Sequence, residues 1–381
     1  MKSPVRIAIA CALAATATAG LAAGTAIASA GGTSTVLVRM SSTEPMAALA
    51  RETDPTFYFV QPEDHYDGAY FYAIARDPFA TGDEHKLIDQ APYRYSHGGY
   101  GVLVWLLSFG RLSMIPNVLL ILNLVGMGAA GALMCAIAVR YGRSGWWGLV
   151  IALSPGLIYA VTADTAEPVA IAFAAAGVLA WGHKRRGTAA AMLSIAVLCK
   201  EPMLVVPAGL LVWELLSWRR ARIASPPWPA IASVVAPAAV FVGWQAYLWS
   251  RFHHVAVFAG KQNLMFWPPF KGWFDAIRFA NSYTLQGFDR MSYATVSLTL
   301  IVVFAGVLIV GSVRSLWMRS PFAPMFLLLF VLDVFVTWYL LFYPKDLLRW
   351  SSIPLAVLPG VFLDARAERT GPSESGGSAS Q

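Results

Sequence analysis

Ten apolar stretches separated by short basic clusters most constrain what this chain can fold into. They cover residues 7–30, 113–139, 145–162, 166–182, 187–199, 202–218, 228–249, 293–313, 321–343 and 350–363. With 57% hydrophobic and only 13% charged residues, the chain has too few polar side chains to surround one aqueous core. Backbone polar groups in lipid are satisfied within a single segment only by a helix, so the expected fold class is an all-α polytopic membrane protein with about ten transmembrane helices. Stretches 187–199 and 350–363 fall short of the ~20 residues of a perpendicular span, so tilt or local thinning must make up the difference.

The net charge of +7 is spread over clusters at Arg140/Arg143, Lys184-Arg185-Arg186, Arg219-Arg220/Arg222 and Arg314/Arg319. That is the distribution of cytoplasmic loops under the positive-inside rule rather than of a nucleic-acid surface. Placing every cluster inside predicts a multi-pass plasma (inner) membrane protein with both termini cytoplasmic. Lys2 and Arg6 precede an Ala-rich stretch ending Ala28-Ser29-Ala30, as before a signal-peptidase site. The apolar stretch is longer than the roughly 7–15 residues of a signal core, so we expect an uncleaved first helix. Cys11, Cys135 and Cys199 all lie in apolar segments and define neither a disulfide framework nor a CxxC metal site.

This thread divides the chain into a first helix (1–30), an outer loop (31–112), a transmembrane core (113–249), a second, aromatic-rich outer loop (250–292), C-terminal spans (293–364) and a disordered cytoplasmic tail (365–381). Residues 98–110, "GGYGVLVWLLSFG", cannot be a further span without pushing Lys184-Arg185-Arg186 outside. They are expected as an interfacial or re-entrant helix. The polar residues then gather at outer helix ends: Asp67 in "YDG", Asp164 and Glu167 in "TADTAEP", Lys200-Glu201 in "LCKEP", and Lys345, Asp346 and Arg349 in "YPKDLLR". Such a face suits a charged substrate held by lipid. No P-loop, GxGxxG, HExxH or nucleic-acid motif occurs, which argues against a cytosolic nucleotide-sugar enzyme and against a nucleic-acid partner.

In order and side, the motifs "YDG" with "FYAIA", "YRYSHGGYGVLVWLL", "ALSPGLIYAVTADTAEPVAIA" and "LCKEP" resemble the GT-C superfamily of integral-membrane glycosyltransferases, in particular a bacterial, mannosyltransferase-like group. The resemblance covers residues 60–215 well and the C-terminal third by hydropathy. It implies a GT-C-like fold that moves a sugar, with inversion, from a polyprenyl-phosphate donor to a glycan or glycolipid acceptor at the outer face. Asp67 would be the general base, with Gly68 letting the backbone approach the sugar, and Glu167 or Asp164 a second acid. Lys200 would hold the phosphate, with Arg94, Lys345 and Arg349 behind it and Glu201 beside it. Lys200-Glu201 stands where family members often carry Arg-Glu.

Plainer readings exist for each residue. Asp67 would cap the helix starting near Gly68, and Asp164 to Glu167 would form a capping box before Pro168. Lys200 and Glu201 would pair with each other, and Arg349 would anchor a helix end. Glu63, Asp64, His65 and Asp67 form an oxygen-rich cluster of the kind that holds Mg²⁺ or Mn²⁺, although the spacing matches no defined metal loop. His97 lacks a GxSxG partner, and Asp333 is expected in the middle of a helix, where a carboxylate is a functional candidate by default. The rival functions are a transporter or flippase of lipid-linked envelope intermediates and a non-catalytic envelope scaffold.

Overall fold

A computed structural model describes residues 3–222, 225–255, 268–284 and 288–362. The tail expected over 365–381, and most of the apolar half of the second loop, lie outside these residues. Every regular element named among them is helical, and Ser41 and Val60 form an isolated bridge. Five helices are long and apolar enough to cross a membrane, or six if a pair bent by 49° at residues 145–162 counts as one span. Three more apolar helices are shorter. This architecture fits a polytopic membrane protein.

In chain order the helices are α1 (Pro4–Ser29), α2 (Ala47–Thr53), α3 (Gly68–Arg76), α4 (Ala91–Ser96), α5 (Gly99–Leu107), α6 (Ile115–Arg140), α7 (Leu149–Ala152), α8 (Pro155–Thr162) and α9 (Glu167–Gly182). There follow α10 (Arg186–Cys199), α11 (Val205–Ala221), α12 (Trp228–Phe252), α13 (Lys271–Thr284), α14 (Phe288–Trp317), α15 (Phe322–Val334), α16 (Trp338–Phe342) and α17 (Pro344–Val357). α1 and α6 pack closely because small residues recur every fourth position: Cys11, Ala15, Ala19 and Ala23 are all buried. Small side chains let two backbones approach where lipid supplies no hydrophobic drive for association.

Side-chain contacts fix which helix ends lie together. Cys11 Sγ lies 3.6 Å from Gly145 O, Arg140 Nη2 donates to Gly182 O (2.7 Å), and Arg186 pairs with Glu214 (3.6 Å). The rings of Tyr141 and Phe322 meet at 5.8 Å, and Arg314 lies over Phe362. Basic residues of the clusters at 140, 186 and 314 thus mark one end of the bundle. At the opposite end Ser34 Oγ donates to Asn117 Oδ1 (2.7 Å), so the segment of 31–114 leaves and returns at the same end.

Within that segment, α5 has nine residues and a length of about 14 Å, half of a ~30 Å hydrocarbon core. Leu106 and Phe109 are exposed at its end, as an interfacial helix requires. Cysteines replacing Asp83 and Ser113, both exposed and flanking α4 and α5, should therefore react with an impermeant thiol reagent from the same side in a cysteine-free background. Labelling from opposite sides would make α5 a crossing.

One apolar stretch is not the single helix that hydropathy suggests. Residues 321–343 fold as α15, a break at 335–337, and α16. The break is capped from outside: Phe270 N donates to Val334 O (2.7 Å) and Trp273 Nε1 to Asp333 O (2.7 Å). Donors from before and within α13 take carbonyls at the end of α15 that α16 would otherwise claim. Asp333 consequently sits in the last turn of a helix, not at the middle of one. Its Oδ1 accepts from Trp350 Nε1 (2.6 Å).

Candidate functional site

Three cations from separate helices converge on two carboxylates. Asp67 Oδ1 faces Arg94 Nη1 at 3.1 Å and Asp67 Oδ2 faces Arg349 Nη1 at 2.5 Å. Glu167 Oε1 accepts from Lys200 Nζ at 2.9 Å and lies 3.4 Å from Arg349 Nε. Arg349 thus links both acids, as only a planar guanidinium with several fixed donors does readily. Glu167 Oε2 is buried with no hydrogen-bond partner.

Local folding explains how each group arrives. Asp67 occupies the position before α3, but its side chain makes no capping bond, and the residue is itself already helical (φ −60°, ψ −18°). Its carboxylate turns instead to the two arginines. A Cβ at Gly68 would come within 2.6 Å of Ala163 O and 2.7 Å of Val38 O. Glycine here lets α3 abut two neighbouring loops, which is a reason internal to the fold and distinct from approach to a sugar. Lys200 ends α10 in extended conformation (φ −156°), which directs the chain into the short turn Glu201–Leu204. Arg349 lies on α17, held against α8 so closely that a Cβ on Gly156 would meet Leu348 O at 1.8 Å.

Tyr66 forms the edge of the site. Its ring lies under Arg349 (4.8 Å) and Lys345 (5.0 Å), and its hydroxyl donates to Asp346. Lys345 therefore joins the site through a ring face rather than through an acid. Arg94 also bonds Asp89 (3.3 Å) and stacks on Tyr70 at 3.6 Å. Tyr70 is in turn tied to His65 Nε2 (3.0 Å), whose Nδ1 lies 2.6 Å from Glu44 Oε1. Burial opposes ionisation of Asp67, but Arg349, then Arg94 and Lys200, outweigh it and hold the carboxyl well below the usual carboxylate range.

Several of the sequence assignments change. Lys200 and Glu201 do not pair with each other: Glu201 bonds His97 Nδ1 (3.0 Å) and the Ser96 hydroxyl (3.1 Å). An extended residue followed by a tight turn sends the two side chains to different partners. The capping box at 164–167 does not form. α9 starts at Glu167 without a side-chain cap, Glu167 is drawn to Lys200, and Asp164 adopts a left-handed conformation (φ 46°). The oxygen-rich cluster of Glu63, Asp64, His65 and Asp67 is not gathered at one point in the structure. His65 is turned to Glu44 and Tyr70 and Asp67 to two cations, and no group of three or more His, Cys, Asp or Glu comes together among the described residues.

Asp164 stands apart from the ion-pair network. It is 0% exposed and neither oxygen has a hydrogen bond of ordinary geometry, although Asn123, also buried and unsatisfied, faces it. Burial pushes its pKa well above the usual carboxylate range, against the smaller opposite effect of Asn123. A raised folded-state pKa favours the fold below about pH 4 and loses that advantage as pH rises. Asn does not titrate, and it tolerates left-handed backbone as well as Asp does. Asp164→Asn is therefore expected to raise the melting temperature at pH 8 relative to the parent, by a margin that shrinks towards pH 4. A margin independent of pH would show that the Asp164 carboxyl titrates alike in the folded and unfolded chain, against the burial effect.

Tyr66, Tyr70 and Glu44 are absent from the residues singled out by sequence. Tyr66 precedes Asp67 in the same motif and was within reach of it; Glu44 and His65 are brought together only by the folded loop. Comparisons with protein-family models, with curated proteins and with solved structures gave no match.

Proposed function

We propose that this protein is a membrane glycosyltransferase, GT-C-like in resemblance, that transfers a sugar from a polyprenyl-phosphate donor to a cell-envelope glycan or glycolipid. The supporting observation is the convergence of Arg94, Lys200 and Arg349 on Asp67 and Glu167 at the bundle end opposite the basic clusters. Under the positive-inside rule that end would be the outer one and both termini cytoplasmic, and the five long helices, the bent pair, the three shorter apolar helices and α17 would make ten passes.

Arg94, Lys200, Arg349 and Lys345 are matched in number by Asp67, Glu167, Asp89 and Asp346, so an anionic phosphodiester or phosphate monoester would enter by taking cations from acids rather than by filling a charge deficit. The donor's phosphate would compete with the acids for Arg349, Arg94 and Lys200, since charge-assisted bonds to phosphate match guanidinium geometry. Asp67 is a weak base while both of its oxygens are paired. As the cations shift to the phosphate, its basicity rises and an oxygen becomes available to take the acceptor's hydroxyl proton. The same cations then stabilise charge developing on the departing phosphate. Glu167 Oε2, which has no hydrogen bond of ordinary geometry and Thr165 beside it, would accept from a hydroxyl of the bound sugar once Lys200 and Arg349 shift.

Binding of a short-chain polyprenyl phosphate to the purified protein, followed by native mass spectrometry, tests the phosphate assignment. Lys200→Gln is expected to weaken it by about 1.5–3 kcal/mol, the scale of a charge-assisted hydrogen bond, and to lower stability as well, because buried Glu167 keeps only Arg349 of its two cations, so affinity is read on folded protein. Equal affinity in parent and variant would remove Lys200 from the phosphate site. Binding with no transfer to any acceptor would favour a flippase.

A further inference from the structure

A cleft of about 740 Å³ opens between the C-terminal end of α1 and the N-terminal end of α6, with residues 53–58 as its other wall. Eight of its eighteen lining residues carry hydroxyls, one carries a carboxylate and one an amide, and none is Lys, Arg or His. None of them belongs to the ion-pair network. The two features share α3, which follows Asp67 and sends Tyr72 to the cleft.

Hydrogen-bonding capacity is left over along this lining. Ser34 donates to Asn117 Oδ1, and among the described residues no acceptor takes the two Asn117 N–H groups. Asp54 Oδ1 accepts from Thr56 N (2.8 Å) and Thr56 Oγ1 (2.6 Å), while its Oδ2 has no partner among the described residues. Thr35 Oγ1 accepts from Tyr58 N (2.9 Å) and so fixes the backbone at a tyrosine that is 39% exposed. Gly31 and Gly32 have φ of 73° and 91°, and a Cβ on either would meet nothing within 4 Å, so the wall is open there.

We propose that this cleft binds an uncharged glycosyl unit, either the end of a soluble glycan or the sugar headgroup of a glycolipid. A lining without cations does not compensate a phosphate or a carboxylate, and it is too polar for an acyl chain. Sugar hydroxyls are donors and acceptors at once, which matches a wall of hydroxyls with one amide and one carboxylate. An exposed tyrosine ring offers an apolar face with a polar tip. The volume lies within the roughly 300–1,000 Å³ of small-molecule sites. This assignment rests on the cleft alone and does not require that the ion-pair network transfer sugar; where it does, the cleft is the acceptor's side of α3.

The test uses the full-length protein with no donor present. One arm titrates fluorescent gluco-, galacto- and manno-tetraoses against protein in detergent. The other measures retention of diglucosyl diacylglycerol by protein in nanodiscs, with phosphatidylglycerol as the anionic control. At least one neutral probe should bind in preference to the anionic lipid, and Tyr58→Ala and Asn117→Ala should each weaken it at least tenfold. Binding of the tetraoses assigns a soluble glycan; binding of the glycolipid alone assigns a lipid-borne one. Both replaced side chains are exposed, so melting temperatures should be unchanged, and Thr56→Val gives a third variant should either fail to fold. No binding of any neutral probe, or parental affinity in folded variants, overturns the assignment.

Discussion

Arg349→Gln should lower stability by about 3 kcal/mol and abolish retention of polyprenyl phosphate. Among the described residues Arg349 is the one group that bonds both acids, through Nη1 to Asp67 and Nε to Glu167. Removing one partner of a buried ion pair costs about 3–5 kcal/mol, because the other charge is left desolvated. The low end applies, since Asp67 keeps Arg94 and its side chain is 23% exposed, while Glu167 keeps Lys200. Arg349→Lys should recover part of the stability but little of the phosphate binding, because an ammonium cannot reach both carboxylates from one position with the fork of a guanidinium. Thermal melting in detergent, read beside lipid-phosphate binding, separates these effects. An Arg349→Gln variant with parental melting would mean that the network is surface decoration.

The distribution of basic clusters was legible because charge asymmetry across a membrane is a property of short segments. Contacts at Arg140, Arg186 and Arg314 gather at one end of the bundle as those segments implied. Asp67, Glu167, Lys200 and Arg349 were each visible as polar residues at helix ends, and they do meet. Their pairing was not legible. Local rules assigned Asp67 and Glu167 to helix caps and Lys200 to Glu201, because those rules weigh only neighbours in sequence, whereas a buried acid takes the strongest cation that the tertiary fold supplies. The break at 335–337 escaped hydropathy for a related reason: Phe270 and Trp273, some sixty residues away, take the α15 carbonyls. The cleft at Ser34, Asp54 and Asn117 joins three segments with no motif in any of them.

Asp67, as proposed, is a base released by phosphate. Asp67→Asn keeps the size of the side chain but cannot take a proton at neutral pH. Because Asp67 makes no capping bond, the loss of a cap does not complicate the result. It does lose two charge-assisted contacts, worth about 1.5–3 kcal/mol each at most, so folding must be followed in parallel. The decisive measurement is transfer of labelled sugar from polyprenyl-phosphate donors to endogenous acceptors in native membranes, normalised to folded protein. Parent protein should transfer at least one such sugar, and Asp67→Asn should be slower by about 10²–10⁴, the usual worth of positioned proton transfer. A folded Asp67→Asn protein that transfers at the parental rate would contradict the assignment.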